Sequence, residues 1–324
     1  MSRYLGADET KTGLGHSAPG YWRTAALLLA AASLVAIVLA VAACGGTEPG
    51  GEGSSTSSTG PGGSIAHPTG ANEVVLQVTA GGGFVPVEYN LTLVPQFSLY
   101  GDGTVIVAGP VAAIYPGPAL PNLQTTVISE EATQAILSAA KEAGLFDPTV
   151  DYGQPGITDV ATTTIVINAD GTTYRSDIYA LGMESGAGGL TLEQQQARAA
   201  VNDLVGKLVV LEAFETEELV WKPYEYAALA VYSQPVDPAP TTDATDIQPN
   251  ELEWPLGDLS TIGEPVQPEG YRRVVVSGED LATLQPLLPD ATMITVWTSG
   301  DQKYHLYFRP LLPEETALAG SAGA

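Results

Sequence analysis

The spacing of apolar and polar residues predicts two β-hairpins in the middle of the chain. Each is centred on an Asp-Gly pair, Asp102-Gly103 in the first and Asp170-Gly171 in the second, with β-branched and aromatic residues on both sides. Asp-Gly between such runs favours a type I′ turn, in which both central residues have positive φ. Runs of the same kind predict further strands at residues 74–78, 226–232, 271–276, 293–297 and 303–309.

Apolar residues at helical spacing predict a helix after each hairpin. In the first, Ser129 precedes two glutamates that suit a helix amino terminus, and Gly144 ends the helix. In the second, Thr191 and Gln194 form a capping box. Its apolar residues recur on one face, at Ala197, Val201, Leu204, Val205 and Leu208. A shorter helix is predicted at residues 279–288.

This order of elements predicts an α+β fold of antiparallel hairpins with helices packed on one face. The succession of hairpin, helix, hairpin and helix also forms a weak internal repeat. Pro235, Pro238 and Pro240 end regular structure within an acidic stretch that divides the folded part. The predicted boundaries are a disordered Gly/Ser/Thr/Pro-rich tether at 44–72, a main α+β unit at 73–235, a linker at 236–250, a smaller α+β unit at 251–313 and a disordered tail at 314–324.

An uncharged apolar run at residues 24–43 precedes the tether. Its length is sufficient for a helix that spans a bilayer. Arg23 and two other basic residues come before the run, and no lysine or arginine follows it before Lys141. This asymmetry agrees with the positive-inside rule. Residues 1–23 are therefore predicted to be cytoplasmic, and the carboxyl-terminal part to lie outside the cytoplasm.

The only cysteine, Cys44, follows the apolar run directly. In Val41-Ala42-Ala43-Cys44, an aliphatic residue and two small residues precede the cysteine, and the segment resembles the lipidation and cleavage site of bacterial lipoprotein precursors. The resemblance implies that Cys44 carries the lipid and that the protein is anchored to the outer face of the cell membrane. The apolar run exceeds a usual secretory segment, which leaves an uncleaved single-pass anchor as the alternative.

Three turn and cap motifs give a second resemblance. Residues 82–86, 99–103 and 142–145 carry Gly-Gly-Phe-Val-Pro, Leu-Tyr-Gly-Asp-Gly and Glu-Ala-Gly-Leu. Together they resemble a group of uncharacterised secreted lipoproteins of actinobacterial type, over residues 74–210. That group has no established activity, so the resemblance implies a location for the protein and no chemistry.

The composition excludes several classes of function. The chain has 37 acidic and 12 basic residues and a net charge of −25, the wrong sign for binding nucleic acid or anionic lipid headgroups. With Cys44 in the anchor, no thiol remains for a disulfide or a thiolate metal site. Of the histidines, His16 precedes the anchor, His67 falls in the tether, and only His305 lies in predicted folded sequence. A metal site with several histidines is excluded, and no cofactor is predicted.

Two acidic clusters are the candidates for chemistry. The first comprises Asp147, Asp151 and Asp159, and the second comprises Asp237, Asp243, Asp246 and Glu251. Carboxylates in such loops can bind Ca²⁺ or act as acid and base in glycoside hydrolysis, although neither cluster has the spacing of an EF-hand. Solvated surface groups are the other interpretation.

Ser138 and Lys141 match the Ser-x-x-Lys spacing of penicillin-recognising serine enzymes. In those enzymes the serine stands at the start of a helix facing a cleft, whereas Ser138 is predicted in the middle of one. The match is therefore interpreted as chance.

Aromatic residues concentrate in the last third of the chain, at Trp254, Tyr271, Trp297, Tyr304 and Tyr307. They either fill the core of a short sheet or form an exposed platform for a sugar or a protein partner.

Taken together, these features predict a non-catalytic envelope lipoprotein that acts as an interaction or ligand-binding module, with the membrane and an envelope protein or glycan as partners. A cell-wall hydrolase that uses the acidic loops is the alternative. Cys44 is the single predicted site residue.

Overall fold

The structure, a computed structural model, describes residues 63–183, 185–186, 188–236 and 247–321, with side chains as far as residue 317. The predicted anchor, Cys44, most of the tether and three acidic residues of the second cluster, Asp237, Asp243 and Asp246, lie outside the described residues. All described residues belong to one compact unit. Within them, no helix has both the length and the apolar character needed to cross a membrane.

The described residues contain thirteen strands, which form two sheets. The first sheet contains β1 (Val74–Gly81), β2 (Phe97–Tyr100), β3 (Thr104–Ala108), β4 (Leu123–Val127), β5 (Thr162–Ala169), β6 (Thr172–Tyr179) and β7 (Lys222–Pro223). Its order is β6-β5-β1-β2-β3-β4-β7, and all its pairs are antiparallel. The second sheet contains β8 (Ala228–Pro235), β9 (Glu251–Glu253), β10 (Glu264–Val266), β11 (Tyr271–Ser277), β12 (Val296–Ser299) and β13 (Gln302–Pro310). Its order is β10-β11-β8-β13-β12-β9, and only β12 and β9 are parallel.

Five α-helices accompany the sheets: α1 (Val87–Leu91), α2 (Glu130–Glu142), α3 (Leu192–Val209), α4 (Gly278–Leu284) and α5 (Pro313–Ser321). The two long helices begin where the capping signals predicted. The Ser129 hydroxyl accepts the Ala132 N–H at the start of α2, and Thr191 and Gln194 form the reciprocal capping box of α3. Local hydrogen bonds of this kind fix a helix start from a few neighbouring residues.

Each sheet has one face covered by helices. Apolar residues of α2 and α3 pack on the first sheet, in a core that includes Leu76, Val78, Leu99, Ile136, Leu137, Ile165 and Val201. The second sheet buries Trp254, Leu284, Leu288, Trp297 and Phe308 with α4 and the 3-10 helix Gln285–Asp290. The predicted α+β class with antiparallel strands and helices on one face is confirmed.

The prediction of a disordered tail from residue 314 is wrong for residues 314–321, which belong to α5. Leu312, at the start of this segment, is buried beside Tyr100. The Tyr100 hydroxyl donates to Glu314 at 2.7 Å, and Arg309 donates to Glu315 at 2.8 Å. These partners are distant in sequence, so the composition of the tail alone could not predict its order.

The last part of the predicted disordered tether also belongs to the fold. Ile65 is buried, and its N–H and carbonyl both bond to the Gln134 side chain, at 2.8 and 2.9 Å. The ring of His67 lies 3.1 Å from a carboxylate oxygen of Glu130. His67 is therefore a second histidine in folded sequence, because α2 supplies partners to a segment whose own composition predicts disorder.

The two Asp-Gly turns differ from each other. Asp170 and Gly171 have φ values of 50° and 71°, the positive pair of a type I′ turn. In the first hairpin only Gly103 has positive φ, 83°, and its N–H donates to the carbonyl of Tyr100. The expectation of positive φ at Asp102 is therefore wrong. The first loop has three residues, a form that ends in a single left-handed glycine.

The predicted repeat is weaker than expected, because β4 intervenes between the first hairpin and α2. β4 was missed in the sequence, where residues 123–127 carry only a short apolar pattern. The strand predicted at 293–297 begins later, at Val296, because residues 292–295 form a turn in which the Thr295 hydroxyl donates to Asn250 at 2.5 Å.

Stability is expected to fall in acid through Glu215, which joins the amino end of α2 to the chain after α3. Its carboxylate accepts the N–H groups of Ser129, Glu217 and Thr216, and these bonds lower its pKa to about 2. A carboxyl whose pKa is lower in the folded chain stabilises it above the unfolded pKa, near 4.3, and loses that contribution as the pH falls towards 2.

The test is urea unfolding between pH 7 and pH 2. We expect Glu215→Gln to be less stable at pH 7 and to lose less stability than the unaltered chain over the acid range. The exposed Glu212, in the adjacent 3-10 helix Leu211–Ala213, supplies the control Glu212→Gln. Parallel pH curves for Glu215→Gln and the unaltered chain would contradict this assignment.

Candidate functional site

Part of the first acidic cluster lines a cleft beside β6 with a volume of about 390 Å³. One wall is the loop that carries Asp147, Pro148, Val150, Asp151, Tyr152, Gly153 and Gln154, and the other consists of Arg175, Ser176 and Asp177 of β6. We call this the acidic cleft. Asp159, the third member of the predicted cluster, does not line it. Its carbonyl instead accepts the N–H of Phe84.

The carboxylates of the acidic cleft are hydrogen-bonded. Asp147 accepts both the hydroxyl and the N–H of Thr149, and these bonds lower its pKa. Asp151 accepts the N–H of Gly153 and the side-chain amide of Gln194, again with a lowered pKa. All these bonds favour the charged form, so both side chains remain ionised in mildly acidic solution.

Asp177, the third acidic residue that lines the acidic cleft, is also hydrogen-bonded. The Thr164 hydroxyl donates to its carboxylate at 2.6 Å and Arg175 at 2.8 Å, and its pKa is lowered, mainly by Thr164. A general acid in glycoside hydrolysis requires the opposite, a carboxyl with a raised pKa. Among the described residues, no group of three or more His, Cys, Asp or Glu side chains is placed to hold a metal ion.

Arg198 of α3 holds the two walls of the acidic cleft together. Its guanidinium is fully buried and donates to the carbonyls of Tyr152, Tyr179 and Ala180 at 3.1, 2.7 and 2.9 Å. These bonds join the acidic loop to the end of β6. Sequence reasoning missed Arg198, although its position three residues before Val201 places it on the apolar face of α3.

A second, larger cleft lies where the chain enters the fold. Its volume is about 550 Å³, and it is lined by Ala66, His67, Pro68, Glu73, Val74, Asn168, Ala169, Gly171, Thr172 and Thr173. His67 is held by the Pro68 carbonyl at 2.7 Å and by Glu130. Burial opposes ionisation of Glu130, but hydrogen bonds with Gln134 and His67 outweigh it and lower the pKa. Only one carboxylate, Glu73, lines the cleft.

An uncharged apolar loop connects β3 and β4, and its Gly117 carbonyl accepts the N–H of Met293. No charged residue occurs between Asp102 and Glu130. Within the loop, Val111, Ile114 and Tyr115 are 77%, 63% and 59% exposed. We call residues 109–118 the apolar loop. Contiguous exposed apolar side chains of this kind typically mark an interaction surface.

The apolar loop and the entry of the chain lie at opposite ends of the first sheet. β1 and β3 are both antiparallel to β2, so their last residues, Gly81 and Ala108, lie at the same end of the first sheet. At the other side, the N–H of Gly101 donates to Glu73, just before β1. Phe84, which is 90% exposed, follows Gly81 at the end that carries the apolar loop. Both exposed apolar segments therefore lie at the end of the first sheet opposite the chain entry at residues 65–73.

The aromatic residues of the last third fill the core. Trp254, Tyr271, Trp297 and Tyr304 are buried, and Tyr307 is partly buried against Tyr271. The sugar-stacking platform allowed by the sequence is therefore wrong. Ser138 is exposed in the middle of α2, as predicted, and lines neither of the two clefts.

No protein-family model, no curated protein and no solved structure matches this chain. Inferences about its function therefore depend on its own residues.

Proposed function

We propose that this protein is a membrane-tethered extracytoplasmic lipoprotein whose folded region is a non-catalytic interaction module. The observation that carries the proposal is the apolar loop, whose exposed Val111, Ile114 and Tyr115 lie at the end of the sheet away from the chain entry. Burying these side chains against a partner would be favourable, at about 25 cal/mol per Å² of apolar surface.

The alternative, a cell-wall hydrolase, has less support. Its candidate acid and base would be Asp147, Asp151 and Asp177, and the pKa of each is lowered. A catalytic pair needs two carboxyls with pKa values pushed apart, so that one is protonated while the other is charged. The hydrogen bonds in the acidic cleft lower the pKa of all three carboxylates, so none of them is suited to act as the general acid.

We expect Cys44 to be lipidated and to become the mature amino terminus, because it follows Val41-Ala42-Ala43 and precedes the tether. Mass spectrometry of the protein purified from membranes would show a chain that begins at a modified Cys44. In a Cys44→Ser variant, this mature form should be absent. An intact amino terminus at Met1 or Ser2 with an unmodified thiol would establish the uncleaved anchor instead.

The interaction function is tested by a photo-reactive side chain placed at Ile114 of the full-length protein in intact cells. We expect a discrete cross-linked species whose yield falls several-fold when Val111→Ser and Tyr115→Ser are added. The matched control places the same group at Glu131, an exposed position on α2. Equal yields from positions 114 and 131 would refute the role of the apolar loop.

Turnover of wall glycans or peptides that is lost in Asp147→Asn or Asp151→Asn would establish the hydrolase.

A further inference from the structure

β6 forms an open edge of the first sheet. It pairs with β5 on one side, and no described strand pairs with its other side. β6 has eight residues, whereas the other edge strands, β7, β9 and β10, have two or three. An edge strand of this length presents a row of backbone donors and acceptors that another chain can pair with.

The hydrogen-bond register identifies which residues face the open side. The N–H of Ala180 donates to the carbonyl of Ala161 at 2.9 Å, immediately beyond the end of the β5–β6 ladder. In an antiparallel pair, bonded residues alternate, so the even-numbered residues of β6 bond to β5. Thr173, Arg175 and Asp177 therefore direct their backbone N–H and carbonyl groups to the open side.

β6 lacks some of the features that commonly protect an edge strand, although Arg175 and Asp177 place charged side chains on it. Its register with β5 runs without a bulge from Thr172 to Tyr179, and it contains no proline. Proline, bulges and covering segments are the usual means by which proteins block an edge. At the carboxyl end, Arg198 occupies the Tyr179 carbonyl, which limits the accessible edge to residues 173–177.

The acidic cleft lies beside this part of the edge, with Arg175, Ser176 and Asp177 in its wall. The opposite wall supplies Asp147 and Asp151. Of the three acidic residues that line the cleft, Asp177 is paired with Arg175 at 2.8 Å, which leaves the charges of Asp147 and Asp151 for an occupant. The charge favours a basic occupant, and the net charge of −25 would steer such a partner towards the domain.

We propose that the β6 edge and the acidic cleft bind an extended basic peptide segment as an additional strand of the first sheet. This inference rests on the proposed interaction function and names the partner class for one of its surfaces. Backbone bonds to residues 173–177 would supply affinity, and alternate side chains would supply specificity. Tyr174 packs towards the core that contains α2 and α3 and stacks on Phe146, next to the acidic loop. Lysine or arginine side chains on that face of the bound strand meet Asp147 and Asp151.

A second copy of this chain fits the edge less well than a basic peptide. Pairing two β6 strands would bring two acidic clefts together between subunits that each carry a charge of −25. Like charges at an interface oppose association, particularly at low salt. Self-association is therefore an outcome that the experiment must distinguish.

The test measures binding of a fluorescent peptide, acetyl-Thr-Lys-Val-Lys-Val-Lys-Thr-amide, to the full-length protein in detergent micelles. We expect saturable binding at low salt. Replacing the lysines with glutamates, or methylating alternate backbone nitrogens, should raise the Kd by about tenfold or more, because each change removes one of the two proposed contributions. Equal affinity for the methylated and unmodified peptides would overturn strand addition, and an absence of binding would overturn the whole inference.

Two pairs of variants locate the site. Arg175→Pro removes an N–H that faces the open side while sparing the ladder to β5, and we expect about tenfold weaker binding. Its control, Arg175→Gln, keeps that N–H and removes the one cation, so binding should be equal or tighter. Asp147→Asn with Asp151→Asn keeps an oxygen acceptor for each turn and should weaken binding by about tenfold at low salt. Glu142→Gln with Glu131→Gln on α2 is the matched control for the loss of two charges.

The outcomes separate this inference from the proposed function. Urea midpoints confirm that each variant is folded, and full affinity in a folded Arg175→Pro protein would overturn the site. Concentration-dependent dimerisation that Arg175→Pro abolishes would assign the edge to a second copy and overturn the peptide. Cross-linking from position 114 and lipidation of Cys44 do not depend on β6. If both succeed while the peptide fails, only the present inference is rejected.

Discussion

The variant Phe308→Ala is expected to destabilise the fold by about 3–5 kcal/mol, the usual cost of removing a phenylalanine from a packed core. Phe308 is 1% exposed in β13, between β8 and β12, and its ring lies 5.7 Å from that of Trp297. Loss of the ring removes buried apolar surface and leaves a cavity beside Trp297. Urea unfolding at pH 7, followed by tryptophan fluorescence, would measure the change.

Phe84→Ala is the matched control, because it makes the same chemical change at a side chain that is 90% exposed. Its effect on unfolding is expected to stay within about 0.5 kcal/mol, as for surface substitutions in general. A large loss of stability in Phe84→Ala, or a small one in Phe308→Ala, would contradict the described packing. The contrast also distinguishes a side chain packed in the core of the second sheet from one that is exposed to a partner.

The second large effect is expected at Gly103, by comparison with Gly171. Both have positive φ, which costs a residue with a Cβ about 1–2 kcal/mol. A Cβ at Gly103 would lie 2.5 Å from the carbonyl oxygen of Ile128, whereas no atom lies within 4 Å of one at Gly171. The N–H of Ile128 also donates to the Gly103 carbonyl. Gly103→Ala should therefore cost about 1–3 kcal/mol more than Gly171→Ala, because the backbone must move and this bond is weakened.

Urea unfolding of Gly103→Ala, Gly171→Ala and the two corresponding asparagine variants would measure this difference. The sequence alone predicts that asparagine is tolerated better than valine at Gly103, because asparagine adopts positive φ readily. The carbonyl of Ile128 adds a cost to both variants, since asparagine and valine each carry a Cβ. Asparagine should be mild only at Gly171. Equal stabilities of the two asparagine variants would show that the close approach at Gly103 is not restrictive.

The helices show which parts of the fold can be predicted from neighbouring residues in the sequence. Ser129 and Thr191 predicted the starts of α2 and α3, because each cap bonds to a backbone N–H within three residues. The same reasoning failed for α5, where Glu314 is held by Tyr100 across 214 positions of sequence. It failed again for Ile65, whose partner Gln134 lies 69 positions away. Both segments have the composition of disordered termini and are ordered only by distant partners.

The candidate sites also combine features that the sequence predicted with features that only the structure shows. The sequence identified Asp147 and Asp151 as members of an acidic loop, but it grouped them with Asp159 and could not associate them with Asp177 or Arg198. The apolar loop was missed in the sequence, because apolar residues are usually buried, and only the structure shows Val111 and Ile114 to be exposed. The sequence also did not show that β6 is an edge strand, because edge and central strands can have the same pattern of residues.

The sequence by itself determined the α+β class, the caps of α2 and α3, the acidic charge and the scarcity of histidine and thiol groups. These properties depend on composition or on contacts within one or two turns of chain. Only the tertiary structure decided that β6 is an edge, that Asp177 joins Asp147 and Asp151, and that Gly103 tolerates substitution less than Gly171. The physical reason is that each of these depends on which distant segments pair or pack together, and that choice is made by burial of the whole core.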